Sequence, residues 1–68
     1  MDNNTFEERA LEYINEVWRM YRDALDVNEI DIARRICSRY ITLTDMFETV
    51  TGKEITTDGD RVIVGQAE

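Results

Sequence analysis

At 68 residues, with 15 acidic side chains against 8 basic ones, a net charge of −7 and a single cysteine, the chain has room for one small domain. It can form no internal disulfide, and without histidine it can build no nitrogen–sulfur zinc site. The acidic balance argues against non-specific binding to nucleic acid or to an anionic membrane.

A single core of this size supplies only about 3–5 kcal/mol. Oligomerisation, or docking on a larger protein, is the expected remaining source of stability. Met1-Asp2-Asn3-Asn4 has neither a basic nor an apolar leader character. No apolar run approaches the roughly 18 residues of a membrane span. The expected location is the cytoplasm, or the host cytoplasm if the source is viral.

Proline is missing and glycine first occurs at Gly52, so hydrophobic phase has to locate any break in the long helical stretch before it. One stripe runs Ala10, Ile14, Val17, Tyr21, Ala24, with Leu11, Trp18 and Leu25 beside it; the other runs Ala33, Ile36, Tyr40, Leu43, Phe47, Val50. At about 100° per residue the two stripes lie roughly a quarter turn apart. The chain around Asp26-Val27-Asn28 is made of poor helix formers. The prediction is therefore two antiparallel helices, over about 5–26 and about 29–51. Thr5 and Glu8 are placed as a capping box, Asn28 as the second N-cap, and Gly52 as the left-handed stop.

After Gly52 the period changes to that of strands. Glu54-Ile55-Thr56-Thr57 and Arg61-Val62-Ile63-Val64 flank Asp58-Gly59, which predicts a β-hairpin over about 54–64. An Asp58-Gly59 turn pairs Ile55 with Val62; a longer turn would include Asp60. Residues 65–68 are expected to fray. The fold class is thus mainly α, a two-helix hairpin followed by a short β-hairpin, associating through its helices. An isolated β-hairpin is marginal in water, so this one must lie on its own helices or on another subunit.

The residues hold little equipment for chemistry. There is no histidine for proton transfer near neutral pH, no glycine-rich phosphate loop and no nucleophile–base pair. Cys37 reads as a small core hydrophobe rather than a reactive thiol. Glu12 and Glu16 read as a solvated acidic face, and Asp58 and Asp60 as turn residues lacking the further ligands of a calcium loop. No catalytic, metal or cofactor-binding residue is assigned, and the chain is expected not to be an enzyme.

Interaction is where the sequence is richer. The helix-one stripe is wider than the roughly 100° one neighbour needs. Tyr13, Trp18, Tyr21, Met46 and Phe47 are the candidate interface residues, with Tyr21, Tyr40 and Phe47 also read as core. Arg19, Arg22, Arg34, Arg35 and Arg39 fall at similar heights near the helical turn, a band that pairs with neighbouring carboxylates or contacts an anion or an acidic partner. A faint helix-turn-helix pattern spans 29–47, but no residue from Ile36 to Tyr40 would form its turn.

In layout, a helical hairpin followed by a β-hairpin resembles the oligomerisation core of phage small terminase subunits. The chain's shortness and acidity are likewise similar to those of phage or mobile-element accessory proteins. No motif is shared, so the resemblance implies arrangement and not activity. The expected function is a self-associating, non-enzymatic adaptor, inhibitor or assembly factor with a protein partner. The alternatives are a nucleic-acid-binding or packaging-type regulatory subunit using the arginine band, and an acidic DNA mimic built on Glu7, Glu8, Glu12 and Glu16.

Overall fold

The computed structural model describes the backbone of residues 3–65 and the side chains of residues 5–65. Helix α1 spans Asn3–Asp26 and α2 spans Ile30–Thr51; strands β1, Ile55–Asp58, and β2, Arg61–Val64, follow as an antiparallel pair. The predicted order of elements is thus present, with differences at the caps and in the strand register.

Helix α1 begins two residues before Thr5, so Thr5 lies within the first turn and is not the N-cap. At the other end Asn28 is left-handed, with φ 62°. Its N–H donates to the Leu25 carbonyl at 3.0 Å and the Glu29 N–H donates to the Ala24 carbonyl at 2.8 Å. Those two bonds are the paired contacts of a Schellman motif. Asn28 therefore closes α1 instead of capping α2, since asparagine tolerates the left-handed region better than other residues with a Cβ. The N-cap of α2 is Glu29, whose side chain makes no capping bond; its carbonyl accepts from the Ala33 N–H at 2.9 Å.

Helix α2 continues unbroken through Cys37, which removes the helix-turn-helix reading of this segment. It ends as expected at Gly52, with φ 73° and its N–H bonded to the Glu48 carbonyl. No neighbouring atom lies within 4 Å of where a Cβ would sit on Gly52. Conformation rather than space is what favours glycine there.

In the β-hairpin Asp58 pairs with Arg61, so the two turn residues are Gly59 and Asp60, and Ile55 lies opposite Val64 rather than Val62. Gly59, at φ 69°, occupies the first central position, the place glycine takes in a type II′ turn. The expected pairing was displaced by two residues. Because side chains alternate with a period of two, Ile55, Val62 and Val64 still share one face. Beyond the strands, the Gly65 N–H donates to the Glu54 carbonyl at 2.8 Å; the remainder of the end expected to fray lies outside the described residues.

That shared face settles on the chain's own helices. Ile14, Phe47 and Val62 form the buried centre, and Leu11, Trp18, Tyr40, Leu43, Ile55 and Val64 pack around it. Val62 is only 1% exposed. Polar contacts from the helices hold the strands in place. The Asn15 side chain donates to the Val62 carbonyl at 2.9 Å and accepts from the Val62 N–H at 2.7 Å, as a neighbouring strand would. A Glu48 carboxylate oxygen accepts from the Ile55 N–H at 2.9 Å, and Arg22 donates to the Gly59 carbonyl at 3.3 Å. Lys53 pairs with Glu7 at 2.8 Å, tying the start of the hairpin segment to α1.

Candidate functional site

One side of the helical pair is left uncovered by the β-hairpin. Asn15, which holds β2, and Tyr13 are two residues apart on α1 and so point about 160° from each other. Along the Tyr13 side, Phe6, Ala10, Tyr13, Val17, Met20, Ala24 and Val27 follow in alternating steps of four and three. That is the spacing of a coiled-coil seam. The smaller members are covered: Val17 and Ala24 are buried, and Ala10 packs on the core. The larger ones are open, with Phe6, Tyr13 and Met20 at 46%, 49% and 48% exposure.

Helix α2 carries a matching series, Ile32, Ile36, Arg39, Leu43, Met46 and Val50, in steps of four and three. Ile32, Met46 and Val50 are exposed, and Arg39 is the one charged member. At the end of the molecule away from the helical turn the two series meet in an apolar groove of about 180 Å³. Phe6, Tyr13, Met46 and Val50 rise around it, and Leu43 and Phe47 lie beneath.

The candidate interface residues divide. Tyr13 and Met46 belong to this open face. Phe47 is 3% exposed and belongs to the core, so its role as an interface contact is corrected to that of the floor under the groove. Trp18 lies off the open face and half-buried, its ring 5.4 Å from Tyr21 and 5.0 Å from Tyr40. Its indole N–H is buried without an acceptor among the described residues. Phe6, Val27 and Ile32 were missed by the stripe reading. The strict four–three spacing is the signal that finds them.

The arginines do not converge. Arg22 is taken up by the Gly59 carbonyl. Arg19 lines a cleft beside Arg61 together with Glu8, Glu12 and Glu16, while Arg34 and Arg35 border a separate depression with Asp31 and Ser38. None of the five lies within 4 Å of a carboxylate among the described residues. The expected band is therefore spread around the molecule: equal height on two helices does not bring side chains to the same side.

Cys37 is half-buried rather than enclosed. Tyr40, beside it, holds its phenolic proton above the ordinary value of 10.0, first because burial disfavours the phenolate and then because Glu48 and Cys37 lie close. Among the described residues no group of three or more Cys, Asp or Glu side chains is placed to hold a metal ion. No described helix is long and apolar enough to cross a membrane. Comparison of the chain with protein-family models, with curated proteins and with solved structures found no match in any of the three.

Proposed function

We propose that this chain is a non-enzymatic interaction module that self-associates through its open helical face and acts as an adaptor, inhibitor or assembly factor. The observation that supports this reading is the exposed series on the two helices: Phe6, Tyr13, Met20 and Val27 on the α1 side, and Ile32, Met46 and Val50 on α2. A half-exposed aromatic leaves about 100 Å² uncovered, and the seven residues together present on the order of 600 Å². Soluble monomers rarely leave contiguous patches that large without a use. Two copies facing each other would bury about 1,200 Å², the lower bound of a standard specific interface.

Sedimentation equilibrium over a concentration series tests the proposal. The expected result is a reversible shift from monomer toward dimer or a higher oligomer. A folded monomer at every concentration would refute self-association. Replacing Tyr13 and Met46 together by glutamate should abolish the shift while the helical circular dichroism remains, because both side chains are exposed in the single chain.

A further inference from the structure

Resting on that self-association, we propose that two copies pack with their helical turns at the same end, α1 of each beside α2 of the other, and that Arg39 selects this arrangement by pairing with Glu16 of the second copy.

The argument begins with heights along the helices. Trp18 meets Tyr40 at 5.0 Å, and Phe6 shares a groove with Val50. Arg39 therefore sits at about the height of Trp18, and Arg35 at about that of Arg22. Two isologous, face-to-face arrangements are open to a helical hairpin. If the two-fold axis runs along the helices, each residue keeps its height and α1 lies beside α2 of the second copy. Arg39 then faces the flank of α1 within two residues, about 3 Å, of Glu16. Arg35 similarly faces Asp23. Glu16, which also borders the cleft with Arg19 and Arg61, and Asp23 stand four residues before and three after Met20, about 40° and 60° around α1 from it. Both contacts occur twice and join opposite charges.

If the axis instead crosses the helices, α1 lies on α1 of the second copy and the turns point to opposite ends. Glu16, near the middle of α1, then meets its own copy, and Arg39, at nearly the same height, approaches the other Arg39. Both contacts join like charges, which disfavours this packing. A lone charged residue in an apolar seam is a recognised device for fixing register and orientation. Arg39 has that position in α2, and no carboxylate lies within 4 Å of it among the described residues of its own chain.

The test uses the full chain with Glu16→Arg and Arg39→Glu as single variants, measured by sedimentation velocity alone and mixed in equal amounts. Each variant alone places like charges at the contact and should weaken association about tenfold or more. In their mixture the heterodimer has one pair with its native signs and one with signs reversed, both joining opposite charges, and should return to within about threefold of the native affinity. Spin labels at Asp26→Cys in a Cys37→Ala background should lie within about 25 Å of each other when the turns share an end. The opposite arrangement separates them by nearly the 39 Å length of the molecule or more. A native dimer with distant labels, or with no recovery on mixing, overturns this packing and leaves self-association standing. A native chain that stays monomeric removes both.

Discussion

Replacing Asn15 by alanine removes the polar grip that α1 has on β2. The side chain makes three contacts: Nδ2 donates to the Leu11 carbonyl at 3.0 Å and to the Val62 carbonyl at 2.9 Å, and Oδ1 accepts from the Val62 N–H at 2.7 Å. The Leu11 carbonyl already serves the helix, so the two bonds to Val62 carry the effect. Val62 is 1% exposed, and a buried backbone group left without a partner costs about 1–3 kcal/mol. Alanine returns about 0.6 kcal/mol through better helix propensity. With two such groups the net expectation is a loss of about 1.5–5 kcal/mol. For a domain of this length each kcal/mol lowers the melting temperature by about 4–8 °C. Urea denaturation followed by circular dichroism measures it, and hydrogen exchange at the Val62 amide reports the local contact. Asn15→Asp sharpens the test. Its carboxylate still accepts from the Val62 N–H but opposes the Val62 carbonyl, whereas the protonated acid donates to that carbonyl as the amide does. Asn15→Asp should therefore regain stability relative to the native chain as pH falls through the carboxyl range. An alanine variant within 0.5 kcal/mol of the native chain, with Val62 exchange unchanged, would refute the reasoning.

Phe47→Ala empties the centre of the core and should cost about 3–5 kcal/mol, enough to leave the chain largely unfolded by circular dichroism at 25 °C. Gly52→Ala meets no atom but forces alanine into the left-handed region, at a cost of about 1–2 kcal/mol. Gly52→Asn should cost less, and equal melting temperatures for the two variants would contradict this account. Tyr40 keeps its proton in the folded chain at pH values where the unfolded chain has released it. Its contribution is thus complete below the ordinary value of 10.0 and is lost as pH rises through the raised one. Ultraviolet titration should show that Tyr40→Phe removes a late phenolate transition, and alkaline unfolding of that variant should begin at higher pH than in the native chain.

The helices and the hairpin were legible in the sequence because each rests on a periodic signal repeated over many residues. The helical break was visible in the phase of the two stripes and needed no glycine. Single residues with two uses were harder to read. Asn28 suits an N-cap and a left-handed helix end equally well, and only the path of the chain decides between them. Asp58-Gly59 suits a turn with glycine second, but the structure takes Gly59 first and moves the register by two. Asn15 stands on the polar flank of α1, where asparagine ordinarily meets water; its use appears only once β2 arrives 47 residues later. The open face was half visible. The stripe on α1 is too wide for one partner on either flank, at Tyr13 and at Trp18. On the Tyr13 flank the exposed residues are Phe6, Tyr13, Met20 and Val27, spaced seven residues apart. The indole lies against Tyr21 of α1 and Tyr40 of α2, its plane tilted 34° and 42° to theirs.

The positions of Asn15 and Glu48 bear on how the chain behaves when crowded. A two-stranded sheet has two rows of unpaired backbone groups, and such rows recruit further strands and seed aggregates. Here a side chain from each helix occupies one of the two rows, at Val62 and at Ile55. The helices thus act as end stops on a sheet that would otherwise be free to grow, and each outer edge of the hairpin meets a helix side chain where a further strand would dock.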